Sequence, residues 1–214
     1  MPSTATGRNH PPVTDASLPR LLSALRLIAS ALVELDRPFA LVGGLAVSVR
    51  GEPRFTRDID LAVATDTDDD AERLVADLTA RGFALRLTLE QSAIGRLATV
   101  RLSPPGESAE GIVVDLLFAS SGIEPDICQG ADVIEIARGL RVPVAGTGHL
   151  IAMKVLSRGA HRPQDDMDLR SLLAVADDDD RQRALAAVGR IERLGANRGR
   201  PIRQELETLL ANTR

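Results

Sequence analysis

Two aspartates separated by one residue are the clearest chemical feature of the sequence. Asp58 and Asp60 lie in the apolar run DIDLAV at residues 58–63. Side chains of a β-strand alternate between its two faces, so both carboxylates are expected on one face. Neighbouring carboxylates raise each other's pKa unless a cation lies between them, and their hard oxygens suit Mg²⁺ or Mn²⁺. The pattern therefore predicts a divalent metal site.

A pair of glycines precedes the aspartates. The strand-like segment FALV, residues 39–42, leads into Gly43 and Gly44, and residues 45–49 can begin a helix. Glycine backbone lets N–H groups approach a ligand closely, and a helix N-terminus favours negative charge. We expect Gly43 and Gly44 to hold the triphosphate of an NTP beside the metal. This combination indicates nucleotidyl or phosphoryl transfer by in-line displacement.

A third carboxylate lies in a later apolar segment. Asp115 is the only charged residue in the sequence GIVVDLLF at residues 111–118. Burial of a lone carboxylate is unfavourable unless the group is paired or binds a metal. Asp115 is therefore a further candidate for the site.

These motifs resemble the nucleotidyltransferase superfamily with the DNA polymerase beta-like fold. The run RFTRDIDL at residues 54–61 is similar to a signature of its AbiEii toxin branch, and Lys154 and the sequence DDMDL at 165–169 match later motifs of that branch. The similarity covers residues 39–170, and Gln164 stands where the branch often has Lys or Arg. The resemblance implies an α/β (α+β) fold, with a mixed sheet and flanking helices followed by a helical C-terminal half.

The resemblance also implies roles for the acidic residues. Asp58, Asp60 and Asp115 are expected to bind the metal, and Asp115 is a candidate to accept the proton of the attacking hydroxyl. Asp165 is expected to complete the catalytic set.

Two basic residues are expected to balance the charge of the triphosphate. These are Arg57 and Lys154, and Lys154 is the only lysine among 26 Lys and Arg residues. A compact ammonium differs from a forked guanidinium as a partner for phosphate. The alternative is a surface lysine that extends its charge into solvent.

The activity implied by the resemblance is metal-dependent transfer of a nucleotide from an NTP to RNA. The 3′ ends of tRNA are the expected acceptor class, and the enzyme is expected to be the toxin of a toxin–antitoxin pair. Three alternatives stay open: transfer to a small molecule such as an antibiotic or to a protein hydroxyl, a binding domain of this fold without catalysis, and a structural α/β protein. In the last case the carboxylates would merely pair with Arg54 and Arg57.

Composition limits the other functions. A net charge of −4 argues against a general nucleic-acid coat, although residues 181–214 contain eight arginines and only three glutamates. Aromatic residues are 2% of the chain, so any RNA contact would depend on backbone charge and shape. The single cysteine, Cys128, excludes an internal disulfide. His10, His149 and His161 lack the spacing of a zinc site.

Hydrophobic periodicity predicts the elements that position these residues. Residues 1–17 are expected to form a flexible tail, 18–145 a nucleotidyltransferase catalytic domain and 146–214 a helical domain. No signal sequence or membrane span is recognisable, so we expect a cytoplasmic protein that does not contact a membrane. Strands are predicted at 39–42, 58–63, 83–89, 96–102 and 112–118, and further apolar segments lie at 133–136 and 140–144. Helices are predicted at 18–36, 45–49, 68–81, 147–158, 165–176, 181–193 and 200–211.

Overall fold

Seven strands form the central sheet of the computed structural model, which describes residues 17–91, 96–108, 110–159 and 162–212. The predicted N-terminal tail lies almost entirely outside these residues, as do His10 and His161. The strands are β1 Phe39–Val42, β2 Asp58–Val63, β3 Ala84–Gln91, β4 Arg96–Ser103, β5 Val113–Leu117, β6 Asp132–Ala137 and β7 Leu140–Val144.

The sheet is mixed, in the order β3-β4-β5-β2-β1-β7-β6. The pairs β2–β5 and β1–β7 are parallel, and every other neighbouring pair is antiparallel. The two strands with the predicted catalytic carboxylates, β2 and β5, are therefore direct neighbours at the middle of the sheet.

Helices surround the sheet and form the C-terminal half. The predicted α/β fold with a mixed sheet and a helical C-terminal half is confirmed. The helices are α1 Ser17–Glu34, α2 Gly43–Arg50, α3 Asp68–Ala80, α4 Glu124–Gln129, α5 Thr147–Ser157, α6 Pro163–Val175, α7 Asp178–Arg193 and α8 Ile202–Ala211.

The local sequence explains most of these helices. In α1, Leu21, Leu25, Ile28 and Leu32 are buried at helical spacing. Helix α7 begins after Asp177, whose side chain accepts a hydrogen bond from the backbone N–H of Asp180 and so caps the helix. Helix α4 was not predicted, because six residues are too few to show a helical period.

One buried cluster of apolar side chains joins the sheet to both the early and the late helices. It includes Leu25 of α1, Leu61 of β2, Leu116 of β5, Ile151 of α5 and Leu206 of α8. The domain boundary between residues 145 and 146 stays a prediction. Within the described residues, no helix combines the length and apolar character needed to cross a membrane.

Candidate active site

Gly43 lies directly against the side chain of Asp60. Val42, the last residue of β1, pairs with Asp60 of β2. Gly43 then has a φ of 62°, a left-handed conformation that glycine adopts without strain. A Cβ atom at position 43 would overlap the Asp60 carboxylate, and the backbone N–H of Gly44 donates a hydrogen bond to that carboxylate. The position of Asp60 thus requires glycine at 43, while the contact of Gly43 and Gly44 with a triphosphate stays a prediction.

The structure brings the three predicted carboxylates into one cleft. Asp60 of β2 is directly opposite Asp115 of β5, and Asp58 lies two residues before Asp60 on the same strand. Asp58 is exposed and Asp115 is buried. Burial raises the pKa of Asp60 to about 7, and the negative charges of Asp115 and Asp58 add to this effect. Close to neutral pH, Asp60 is therefore poised between its two protonation states.

Asp115 is paired with an arginine of the neighbouring strand. Arg101 of β4 lies opposite Asp115. Its Nε donates to Oδ1 at 2.8 Å and its Nη2 donates to Oδ2 at 2.7 Å. The two parallel bonds explain how a lone carboxylate is accommodated in an apolar strand.

The oxygen donors of the cleft suit a hard divalent cation. The raised pKa of Asp60 means that its charged form is destabilised unless a cation balances it. Among the residues that the structure describes, no three His, Cys, Asp or Glu side chains are grouped so that they could hold a metal ion. Asp58 and Asp60, two residues apart on β2, are the carboxylates that would hold a cation, whereas both oxygens of Asp115 accept hydrogen bonds from Arg101. Binding of Mg²⁺ or Mn²⁺ by all three carboxylates stays a prediction.

Lys154 lies in the cleft wall and contacts two aspartates of α6. Its Nζ is 2.8 Å from Oδ1 of Asp165 and 2.7 Å from Oδ2 of Asp168. The lysine side chain is only 12% exposed, so the alternative of a surface lysine is wrong. The other oxygen of Asp165 is buried and has no hydrogen-bond partner within the described part of the chain. Catalytic roles for Lys154 and Asp165 stay predictions.

Asp168 links this wall to the loop before β2. Arg54 donates to its two oxygens from Nε at 2.6 Å and from Nη2 at 2.8 Å. Gln164, the residue that differs from the branch pattern, donates to Asp168 at 3.1 Å. Burial by itself would raise the pKa of Asp168, but hydrogen bonds from Arg54, Lys154 and Gln164 hold that pKa below its usual value. Arg54 therefore pairs with Asp168 of α6. It does not pair with Asp58 or Asp60, as it would if the chain were a structural α/β protein whose carboxylates only form ion pairs.

Two arginines of the C-terminal half lie on the cleft, while Arg57 does not line it. Arg57 is exposed, with its Cζ 5.6 Å from the centre of the Phe55 ring, and its role in nucleotide binding stays a prediction. Arg162 and Arg198 line the cleft. Burial lowers the pKa of Arg198, and the positive charges of Arg162 and Arg200 lower it further. A phosphate beside Arg162 and Arg198 would relieve this repulsion.

The cleft has a volume of about 640 Å³ and draws its lining from both halves of the chain. Its floor contains the glycine turn and the carboxylates of the sheet, and its wall contains Lys154 of α5 and Asp165 of α6. This volume lies in the usual range for small-molecule sites. The chain matches the family described as "Nucleotidyl transferase AbiEii toxin, Type IV TA system" over residues 26–213.

The protein belongs to the AbiEii nucleotidyltransferase toxin family. It is therefore a nucleotidyltransferase, as the sequence predicted, and membership implies an NTP substrate and an antitoxin partner. Comparison with curated protein sequences finds no match.

Solved nucleotidyltransferase structures share the fold of this AbiEii family member. An antigenic nucleotidyltransferase-like protein from Paracoccidioides brasiliensis is 19% identical, with 86% of this chain and 94% of that chain covered and a TM-score of 0.52. The antibiotic-resistance factor ANT(2'')-Ia is 15% identical, with 84% of this chain and 96% of that chain covered and a TM-score of 0.54. Its complex with adenylyl-2''-tobramycin gives 15% identity, coverage of 79% and 97%, and a TM-score of 0.51.

Several residues in or beside the cleft were not predicted as site residues from the sequence. Arg101 and Asp168 hold predicted site residues, and Arg54 and Arg198 line the cleft. The apolar run around Asp115 did signal that some cation must pair with it. Nothing in the sequence identified which one, because that choice depends on the pairing of β4 with β5.

Proposed function

We propose that this AbiEii family member transfers a nucleotide from an NTP to RNA, with the 3′ end of tRNA as acceptor and Mg²⁺ or Mn²⁺ as cofactor. In this proposal it acts as the toxin of its pair and is held inactive by its antitoxin. The observation that carries the proposal is the shared cleft, in which Asp58 and Asp60 face the same space as the glycine turn and Lys154.

In the proposed reaction, each side of the cleft has a separate task. Asp58 and Asp60 would hold the cation, which when bound would neutralise phosphate charge and polarise the α-phosphate. Gly43 and Gly44 lie at the N-terminus of α2, where backbone N–H groups that are not bonded to Asp60 can donate hydrogen bonds to phosphate oxygens. Lys154 is fixed by Asp165 and Asp168 at the wall, so its position is set before the nucleotide binds.

The RNA acceptor is supported by the charge of the cleft wall. Several C-terminal arginines are ion-paired, including Arg190 with Asp126 and Arg203 with Glu207, and so contribute little net charge. Arg162 is 3.9 Å from Asp165, and no ion pair is found for Arg198 within the described residues. Support for a polyanionic acceptor therefore comes from Arg162 and Arg198 and not from the whole C-terminal half.

A labelling experiment tests this proposal. Each α-³²P-labelled NTP is incubated with the protein and Mg²⁺ in the presence of purified tRNA, total cellular RNA or tobramycin, and the labelled product is separated. We expect label on tRNA, loss of that label with Asp60→Asn, and full labelling with Asp166→Asn. Asp166 is a matched control because it is a half-exposed aspartate paired with Arg158 and is not a lining residue of the cleft. Label on tobramycin and not on RNA would favour a small-molecule acceptor.

A further inference from the structure

Both carboxylate oxygens of Asp115 already accept hydrogen bonds from the guanidinium of Arg101. The Nε and Nη2 groups of Arg101 donate to Oδ1 and Oδ2 at 2.8 Å and 2.7 Å. Bidentate guanidinium–carboxylate pairs are among the strongest charge-assisted hydrogen bonds in proteins. A metal ion at Asp115 would have to share these oxygens with the guanidinium, whose positive charge would repel it.

The sheet itself fixes the pair. Arg101, Asp115 and Asp60 are in register on three adjacent strands, β4, β5 and β2. The residues on either side of Arg101, Val100 and Leu102, are buried in the core. The backbone of Arg101 is therefore held by pairing and by packing, and its release from Asp115 would have to come from its side chain alone.

Arg101 also interacts electrostatically with the two other aspartates of the cleft, Asp58 and Asp60. The hydrogen bonds that Arg101 donates to Asp115 raise the pKa of Arg101, burial opposes this shift, and the charges of Asp115, Asp58 and Asp60 add to it. The Arg101 side chain lines the cleft and is 41% exposed. Its Nη1 group is not part of the pair with Asp115, so it remains available to an anion in the cleft.

We propose that the guanidinium of Arg101 stays paired with Asp115 in the catalytic centre, so that Asp58 and Asp60 alone bind the metal. The inference rests on the proposed function, because it takes Asp58 and Asp60 as ligands of a divalent cation. Asp115 then acts as a positioning residue that orients Arg101 toward the substrate. This assignment replaces the three-carboxylate metal site expected from the sequence with two carboxylates and one guanidinium.

Binding of Mn²⁺ to the nucleotide-free protein tests the assignment without any measurement of turnover. Free Mn²⁺ is followed by its electron paramagnetic resonance signal, and circular dichroism melting confirms that each variant is folded. We expect Asp60→Asn to weaken Mn²⁺ binding by about a hundredfold, since it removes both a ligand and a charge, and Asp115→Asn to weaken it by no more than about tenfold, since it removes only a nearby charge.

Variants of Arg101 provide the sharper comparison. Arg101→Gln should tighten Mn²⁺ binding by about tenfold, because it leaves the charge of Asp115 unpaired beside Asp60, and the double variant Arg101→Gln/Asp115→Asn should lose that gain. Arg101→Lys keeps the charge and should bind Mn²⁺ like the wild type. Arg96→Gln is the matched control: Arg96 is on the same strand, is paired with Asp68 at 3.1 Å and is not a lining residue, so its loss should leave Mn²⁺ affinity unchanged.

Two outcomes would overturn the inference, and they differ in what else they affect. If the charge-neutral double variant Arg101→Gln/Asp115→Asn binds Mn²⁺ at least about tenfold more weakly than the wild type, then Asp115 is a metal ligand, the inference fails and the proposed metal-dependent function stands. If Asp60→Asn leaves Mn²⁺ binding unchanged, the metal site on β2 itself fails, and the proposed function falls with the inference.

Discussion

Gly43 and the Asp60 carboxylate are in such close contact that position 43 has no room for a Cβ atom. The contact arises because β1 ends opposite Asp60, and the chain then turns through a left-handed glycine into α2. The glycine turn and the strand that contains Asp58 and Asp60 are thus parts of one structure. A substitution in the turn should act on the carboxylates even if no nucleotide contacts it.

Gly43→Ala should therefore reduce nucleotide transfer by at least about a hundredfold, because Asp60 must move away from its partners. Labelled-nucleotide incorporation measures the effect. Gly139→Ala is a matched control, since Gly139 has a φ of 70° but no atom within 4 Å of an added Cβ. Both variants should lose roughly 1 kcal/mol of stability from backbone strain. Equal activity in the two variants would show that the contact with Asp60 has no role.

Asp60→Asn should stabilise the metal-free protein in a pH-dependent way. Folding raises the pKa of Asp60 from 3.8 to about 7, so the folded state binds the proton more tightly than the unfolded state. Wild-type stability should therefore fall as the pH rises from about 4 to about 7, and asparagine avoids this loss. Urea unfolding in EDTA should give wild type and variant nearly equal free energies of unfolding at pH 4.5. At pH 8 the variant should be more stable by about 2 kcal/mol, a figure reduced to allow for the partial exposure of Asp60. A gain that is equally large at both pH values would contradict the assignment to Asp60.

Lys154→Ala should destabilise the protein as well as impair transfer. It leaves the buried carboxylates of Asp165 and Asp168 without their shared ammonium, a kind of loss that commonly costs about 3 kcal/mol. The double variant Lys154→Ala/Asp168→Asn should recover part of that stability. Arg158→Ala, which removes a more exposed ion pair with Asp166, should cost less than about 1 kcal/mol. Thermal unfolding of the four proteins gives the comparison, and equal losses for Lys154→Ala and Arg158→Ala would contradict it.

Arg198→Gln should weaken binding of RNA with little dependence on its sequence. A phosphate contact contributes mainly through counterion release, so the slope of log affinity against log salt concentration should fall by about one. Filter binding at several salt concentrations measures the slope. Arg203→Gln, at an exposed residue already paired with Glu207, should leave the slope unchanged. An unchanged slope for Arg198→Gln would place the acceptor elsewhere.

The sequence predicted those parts of the site that lie within single short segments of the chain. The glycine turn, the strand with Asp58 and Asp60, and the lone Asp115 all lie in short segments whose pattern predicts both conformation and chemistry. Arg54 and Asp168 are 114 residues apart, and Arg101 meets Asp115 only through the register of two strands. Such partners depend on tertiary packing, for which a single sequence has no periodic signal. The six-residue helix α4 escaped for a related reason, because it spans fewer than two turns.

The outer strand β3 is the part of the cleft where we expect amino-acid substitutions to disturb the fewest contacts. Residues 84–90 are all exposed, and Leu89 lines the cleft. On the opposite side, Arg54 fills the space beside Gly44 and is tied to α6, so a change there disturbs several partners at once. Substitution of Leu89 would therefore reshape one edge of the cleft while the contacts of Arg54 stay intact.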